Sequence, residues 1–509
     1  MAGVFVRSRN STRRLMTKIG MLENLRPVFW NSSLPHFPIP PPITPIRAPD
    51  RNPVAVSGNP ITPFGVRRFA SISAGEELVT QQHDEAENQF LDCPGGHVPL
   101  TAEMKFMESP KTRAPCYRVL DENGLPIARS KFQKVSKEVA LKMYNDMVTL
   151  QVMDTIFYEA QRQGRISFYL TSTGEEAINV ASAAALTMDD IVFPQVEEIR
   201  NLVTVGISGA YIFTCGQLMY MQYREPGVLL WRGFTLQEFA NQCFSNKADY
   251  GKGRQMPIHY GCNRLNYVTV SSPIATQIPH AAGAAYSLKM DQKNACTVAY
   301  FGDGGTSEGD FHAGINFAAV MGAPVIFFCR NNGWAISTST SEQFRSDGIA
   351  VRGPAYGVQS IRVDGNDALA IFNAVQAARE IAIAESKPIL VEAMTYRAGH
   401  HSTSDDSTKY RPVKEIEHWR QKHDPVARFR QWIQSNGWWN DTTESQFRNS
   451  VRNQLLNAIQ NAEKAEKPPV TDLFTDVYDN VPSNLREQER WLRETIMKHP
   501  KDYPHDVPV

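Results

Sequence analysis

Two short apolar runs separated by a helical pattern constrain the fold more than any other part of the chain. The first, Ala295-Cys296-Thr297-Val298-Ala299-Tyr300-Phe301, is rich in β-formers and reads as a buried strand. From Asp310 to Met321, Phe311, Ile315, Ala318 and Ala319 recur at helical spacing, with Asp310 expected as the cap. Ala323-Pro324-Val325-Ile326-Phe327-Phe328-Cys329 is the second strand. A strand–helix–strand unit crosses over right-handed, so both strands end at one edge of a mostly parallel α/β sheet with helices on both faces. Just past those ends stand Gly302-Asp303-Gly304-Gly305 and Arg330-Asn331-Asn332-Gly333-Trp334. They face one crevice, where open sheets of this kind take their ligands.

The residue types in that crevice suit a hard cation carrying phosphates. Mg²⁺ takes oxygen ligands, few of them from protein and the rest from phosphate and water. Asp303 offers a carboxylate, Asn332 an amide oxygen, and the loop after Asn332 a backbone carbonyl. Gly302, Gly304 and Gly305 let the backbone approach a diphosphate, and Arg330 adds a cation. Gly-Asp-Gly alone is a common turn, and so is Asn-Gly. A strand before each half is what sets this pair apart. It is no dinucleotide fingerprint, because Ser307 stands where the third glycine is needed.

A chain of 509 residues holds one large α/β domain with extensions. Its formal net charge of +0 implies no nucleic-acid or anionic-membrane partner. The seven cysteines lack any Cys-x-x-Cys pattern and suit a reducing compartment. No apolar run is read as bilayer-spanning.

Residues 1 to about 22 carry Arg7, Arg9, Arg13, Arg14 and Lys18 with no acid before Glu23, the composition of a mitochondrial transit peptide. A proline-rich linker runs from Leu34 to Pro53, and Arg67-Arg68-Phe69-Ala70-Ser71 resembles a matrix-protease site. Four regions are expected: targeting segment and linker (1–69), extended arm (70–135, with a turn at Glu122-Asn123-Gly124), α/β domain (136–412), and C-terminal helices (413–509).

Within the α/β domain, Ser136 caps a long helix that Gly164 ends. A helix follows Gly174, with Glu175 and Glu176 placed by its macrodipole. Asp190 to Pro194 and Tyr267 to Val270 read as strands, and a helix rich in Ala and Gly follows Gln277. Residues 195–215 give no clear pattern. A helix over Ala368 to Glu385 leads into a strand from Pro388 to Ala393, which opens into the loop Tyr396 to Asp406. Two histidines, His400 and His401, stand there, and beside a cofactor site one of them is a plausible proton shuttle. Asp424-Pro425 starts a helix, and Phe447, Val451, Leu455, Ala458 and Ala462 stripe another. The tail from His499 has no pattern and is expected to be disordered or to lie on a partner.

From about Thr62 onward the chain resembles the alpha subunits of mitochondrial branched-chain 2-oxo acid dehydrogenases, in the thiamine diphosphate-dependent family. The paired Gly-Asp-Gly and Asn-Asn resemble that family's cofactor motif. Further marks are Gly251-Lys252-Gly253-Arg254-Gln255-Met256-Pro257, Ser271-Ser272-Pro273 and Arg397-Ala398-Gly399-His400-His401-Ser402-Thr403-Ser404-Asp405-Asp406-Ser407. The paired histidines favour the branched-chain type over its pyruvate-specific relative. A catalytically inactive scaffold is the rival from another class.

The resemblance implies a thiamine diphosphate-binding fold and oxidative decarboxylation of branched-chain 2-oxo acids, with acyl transfer to a lipoyl group. It implies that Asp303, Asn332 and the Trp334 carbonyl hold Mg²⁺. Tyr223, Arg224, Ser272, Gly304, Gly305, Arg330 and His401 contact thiamine diphosphate, and His401 also moves protons. Ser271, Pro273, Thr276 and Gln277 match a K⁺ site, and Gln222 and Ile274 lie near the substrate. Its implied partners are a beta subunit, in a two-alpha two-beta assembly in the mitochondrial matrix, a lipoyl acyltransferase core, and a kinase and phosphatase acting at Ser402. Two departures stand out. Pro412 follows Tyr410-Arg411, where a second phosphorylatable serine is common, and Trp334 replaces a frequent Tyr.

Overall fold

The computed structural model describes residues 90–93, 96–99, 104, 106, 112–128, 130, 132–194, 224–271 and 273–509. Gln222, Tyr223, Ser272 and the segment 195–215 lie outside them, as does the whole of 1–69. The chain divides into two units, Met1–Met104 and Lys105–Val509. In the first, Phe90–Cys93 and Gly96–Pro99 form an antiparallel hairpin. The rest concerns the second unit.

Six parallel strands form its sheet: β1 (Cys116–Tyr117), β2 (Ile191–Phe193), β3 (Thr297–Gly302), β4 (Val325–Asn331), β5 (Gln359–Asp364) and β6 (Ile389–Met394). Their spatial order is β1-β5-β6-β4-β3-β2. Every residue of β3 and β4 is buried, as a strand covered on both faces requires. Gly302 lies opposite Arg330, and Met394 opposite both Asn331 and Asp364. The carboxyl ends of β3, β4, β5 and β6 are therefore level, and the loops leaving them share one edge.

Among the described residues the longer helices are α1 (Lys137–Arg162), α2 (Glu176–Ala184), α3 (Pro226–Trp231), α4 (Leu236–Cys243), α5 (Gln277–Met290), α6 (Gly309–Met321), α7 (Ala368–Glu385), α8 (Val413–Lys422), α9 (Pro425–Ser435), α10 (Asp441–Lys464) and α11 (Ser483–Lys498), with a single helical turn at Thr340–Gln343. Helix α5 packs over β2, β3 and β4, and α7 over β4, β5 and β6. Helix α1 starts at the expected Ser136 cap, whose hydroxyl accepts from Val139 N, and Gly164 follows its end at φ +76°. Its stripe of Met143, Tyr144, Met147, Leu150, Met153 and Phe157 is fully buried, against α2, α3, α9 and α10. The turn expected near Asn123 is present, with Gly124 at φ +71° donating to Asp121 O. Asp424 caps α9, accepting from Ala427 N.

Four expectations are corrected. Helix α6 begins at Gly309 with Glu308 in the cap position, because Gly304–Ser307 first makes a 3₁₀ turn, and Asp310 falls inside the first turn. Tyr267–Val270 is no strand. Its neighbour β2 is only three residues long and bonds it through Val192 alone, and on the other side it makes isolated bonds to Cys262 and Tyr260 that build no ladder. The carboxylate of Glu175 does not serve its helix, as described below. The tail folds back on its own chain, with Lys467 N bonded to Asp506 O and Val470 N to Pro508 O.

Asp367 joins distant parts of the unit. Its buried carboxylate caps α7 through the amides of Leu369 and Ala370, and also accepts from Val119 N (2.7 Å) and Leu120 N (2.6 Å). Asp367→Ala leaves four buried donors unmet and should cost about 3 kcal/mol or more, read by denaturant unfolding. Asp367→Asn, which keeps one accepting oxygen, should cost less.

Candidate active site

The crevice begins with a buried carboxylate in α1. Asp154 accepts from the Tyr169 hydroxyl (3.0 Å) and Ser172 N (2.5 Å), and so fixes the turn before α2. Burial pushes its carboxyl up to about 7. At Gly174 (φ +92°) an added Cβ would stand 2.7 Å from Tyr396 O, so the turn passes too close to the chain leaving β6 for a side chain. Glu175 follows. It occupies the cap position of α2 without making a cap bond.

The Glu175 carboxylate points across the strand ends. It accepts from Asn332 Nδ2 at 2.8 Å and lies 3.6 Å from Arg330 Nε and 3.7 Å from Arg224 Nη1. Burial alone would raise its pKa. The Arg330 and Arg224 guanidiniums, then the Asn332 bond, outweigh burial and hold it below the ordinary carboxylate value. Arg330 also pairs with Glu225 at 3.0 Å, and Arg224 donates to the carbonyls of Thr171 (2.6 Å) and His401 (2.8 Å).

On the cation side, Asp303 is fully buried past the end of β3, and its Oδ2 accepts from Gln343 Nε2 at 2.8 Å. Asn332 Oδ1 accepts from Trp334 N at 3.2 Å. Trp334–Ala335 pairs with Thr338–Ser339 in a small hairpin, and Arg397 donates to the carbonyls of Trp334 (3.4 Å) and Ile336 (2.9 Å). A Cβ on Gly304 would stand 2.8 Å from the Ala335 Cβ, so the glycine turn and this hairpin touch with no room for a side chain.

The loop after β6 closes the crevice. Arg411 donates to the carbonyls of Arg397 (2.6 Å) and Gly399 (2.8 Å), and Asp405 Oδ2 accepts from His401 N (2.8 Å) and the Tyr410 hydroxyl (2.6 Å). His401 is 1% exposed, and neither ring nitrogen has a partner among the described residues. Burial first, then the guanidiniums of Arg397, Arg224 and Arg411, hold its imidazole well below the ordinary value, so it is neutral at neutral pH. Ser402 is 3% exposed, with its hydroxyl accepting from Ser404 N at 3.2 Å, whereas Ser404 is exposed. His400 bonds to the Ser407 hydroxyl instead of facing the crevice cations.

The structure thus brings Asp303, Gly304, Arg224, Arg330, Asn332, Trp334 and His401 to one edge of the sheet. Ile274 stands beside them, its Cγ2 3.9 Å from where a Cβ on Gly305 would lie. Ser271, Pro273, Thr276 and Gln277 gather in a separate turn with Ala275 at φ +61°. There Thr276 Oγ1 donates to Pro273 O (2.9 Å) and lies 3.4 Å from Ser271 Oγ. Gln277 Nε2 donates to Tyr300 O, while its Oε1 is buried with no partner among the described residues.

The residues present fit a metal-bound diphosphate. Among the described residues, the buried arginines Arg224, Arg330, Arg397 and Arg411 stand with the buried carboxylates Asp154, Glu175, Glu225 and Asp303, so guanidiniums are at hand for an anion. The donor set of carboxylate, amide oxygen and backbone carbonyl is that of a Mg²⁺ completed by phosphate. The unpartnered imidazole of His401 leaves a hydrogen-bonding group for a ligand. The unpartnered Oε1 of Gln277 likewise suits a monovalent cation. Sequence reasoning missed Glu175, Glu225 and Gln343. Glu175 was already accounted for as a helix-start acid, and no motif marks the other two.

The family described as Dehydrogenase E1 component matches residues 144–218 and 200–471. The chain is 61% identical over 465 residues to 2-oxoisovalerate dehydrogenase subunit alpha 2, mitochondrial, of Arabidopsis thaliana, covering 91% of this chain and 92% of the relative. Subunit alpha 1 of the same plant is 63% identical over 447 residues, with 87% and 89% covered. The human 2-oxoisovalerate dehydrogenase subunit alpha, mitochondrial, is 47% identical over 427 residues, with 84% and 90% covered.

The state of His401 has a measurable consequence. The fold refuses a proton that the unfolded chain takes up below about pH 6.5. This contribution to stability is whole above that pH and shrinks as pH falls through it, by up to about 1.4 kcal/mol per pH unit. Denaturant unfolding across roughly pH 5 to 7 should therefore show a shallower pH dependence for His401→Gln than for the parent. Equal slopes would mean that the folded imidazole takes the proton.

Proposed function

The chain belongs to the dehydrogenase E1 component family, and from that premise we propose that it is the alpha subunit of a mitochondrial branched-chain 2-oxo acid dehydrogenase. Its reaction is the oxidative decarboxylation of the 2-oxo acids of leucine, isoleucine and valine, with transfer of the acyl unit to a lipoyl group on an acyltransferase core. The specific activity is that of a 3-methyl-2-oxobutanoate dehydrogenase (2-methylpropanoyl-transferring). Residues 1–69 act as transit peptide and linker, and the mature chain works in the matrix. It assembles with a beta subunit as two alpha and two beta. The observation that carries this reading is the buried crevice itself, with its oxygen ligands, buried arginines and neutral His401, in a chain whose relatives bear that name.

Asp303, Asn332 and the Trp334 carbonyl would hold Mg²⁺, the carbonyl through the lone pair that Arg397 leaves free. Arg224, Arg330, Tyr223, Ser272 and the backbone at Gly304 and Gly305 position the diphosphate of thiamine diphosphate. The chemistry supplied by the bound group is an electron sink for the loss of CO₂. Gln222 and Ile274 shape the substrate pocket. His401, kept neutral by burial and by its guanidinium neighbours, accepts and returns a proton during acyl transfer. Ser271, Pro273, Thr276 and Gln277 hold K⁺ in the turn that leads into α5, which steadies Ile274.

Co-expression with a beta chain and assay of CO₂ release tests this reading. Release from 3-methyl-2-oxobutanoate should exceed release from pyruvate, and the reverse preference would overturn the assignment. Asp303→Ala should abolish Mg²⁺-dependent thiamine diphosphate binding by calorimetry, and unchanged affinity would remove the cation site from the proposal.

Ser402 is the control point, acted on by a matrix kinase and phosphatase. Because its hydroxyl is buried, the loop has to open before a kinase reaches it. A phosphate there adds about −1.5 to −2 charges beside Asp405. It cannot share the closed loop with the Asp405 bonds to His401 and Tyr410. Ser402→Ala is expected to stay active under kinase treatment that silences the parent. Equal inactivation of both would move the site to another residue, with exposed Ser404 first.

A further inference from the structure

Glu175 is buried completely, at a helix start where a solvated acid would serve the dipole equally well. Its Oε2 faces the two arginines, and a counter-ion role accounts for that oxygen. Such a role does not account for Oε1, which is spent on the side-chain amide of Asn332 at 2.8 Å.

An asparagine amide has two ends of nearly equal shape and opposite polarity, and its hydrogen-bond partners decide which way it turns. In Asn332, Nδ2 donates to Glu175, and Oδ1 accepts from Trp334 N at 3.2 Å. Turned over, the oxygen would meet a carboxylate and the NH₂ group would meet an N–H. Both contacts would then oppose like polarity. Only the oxygen end can serve a hard cation, so an inverted Asn332 removes a ligand from the site.

We propose that Glu175 is a positioning residue that holds the Asn332 amide with its oxygen toward the cation, so that Mg²⁺ affinity depends on a side chain that never touches the metal. The inference rests on the cation-site reading above. In Glu175→Gln the two arginines draw the single amide oxygen, which turns the NH₂ end toward Asn332 and leaves only the longer Trp334 contact to hold its amide. Partners one step behind a metal ligand are typically worth about 10- to 100-fold in affinity.

The test uses the full chain assembled with its beta subunit, with Mg²⁺ titrated calorimetrically in the presence of thiamine diphosphate. Glu175→Gln should weaken Mg²⁺ about 10- to 100-fold. In Glu175→Gln/Asn332→Asp the carboxylate has moved across the same hydrogen bond. Its partner's amide can donate, either carboxylate oxygen suits the cation, and the charge of the cluster is kept. This double variant should recover most of the lost affinity. If it binds no better than Glu175→Gln, then Glu175 is a counter-ion alone and the proposal falls. It falls too if Glu175→Gln keeps parent affinity while Asp303→Ala loses it. Should Glu175→Gln fail to fold, the double variant is compared with the parent directly: near-parental affinity supports the proposal and a large loss overturns it. An Asp303→Ala variant with undiminished Mg²⁺ affinity would instead sink the cation-site reading on which both rest.

Discussion

A guanidinium taken out of water has to place its N–H groups on acceptors, and that requirement organises the catalytic edge of this protein. Many of the acceptors chosen are main-chain carbonyls of loops. Arg224 holds Thr171 and His401, Arg397 holds Trp334 and Ile336, and Arg411 holds Arg397 and Gly399. Arg420 adds Ala398, and Arg352 adds Thr306. Each bond is charge-assisted, and those of Arg224, Arg397 and Arg411 come from guanidiniums buried from water, so they are stronger than neutral ones. The turn before α2 and the loops leaving β3, β4 and β6 are fastened by cations whose charge also suits a diphosphate. Order and ligand affinity thus come from the same side chains.

The sheet beneath supplies the rigidity that such loops lack. Strands β3 and β4 are buried along their whole length, and their level ends fix the separation of Asp303 from Asn332 before any ligand arrives. The contact between Gly304 and Ala335 then sets the glycine turn against the hairpin. A crevice built this way loses little order on filling, which is the thermodynamic advantage of a preformed site.

Much of this was legible in the sequence because local chemistry and global fold agree there. Apolar runs of strand length, Ser136 and Asp424 as caps, and Gly124 and Gly164 at turns each act within a few residues of themselves. The pairing of Asp303 with Asn332 was readable because a crossover between parallel strands has one hand. What escaped depends on distant partners. Glu175 satisfies a local rule for helix starts, so nothing in its neighbourhood announces that it faces Asn332, 157 positions away. Gln343 sits in an unremarkable helical turn, and only the tertiary fold shows it on Asp303. The failed strand at Tyr267–Val270 and the returning tail have the same origin. Their pattern was read correctly as local composition, but the partner that decides the outcome lies elsewhere in the chain.

The topology also dictates an order of events as the chain enters its compartment, amino end first, and folds. Strand β1 comes first in its sheet, yet among the described strands its neighbour is β5 alone, and the amide of Val119 bonds a carboxylate 248 positions later. Until β5 arrives, Cys116 and Tyr117 belong to an unpaired strand. The central strands β3 and β4 face no such delay, because their connection is short and β4 follows at once. The sheet can therefore assemble outward from the strands that carry the crevice, with its first-made strand the last to be placed.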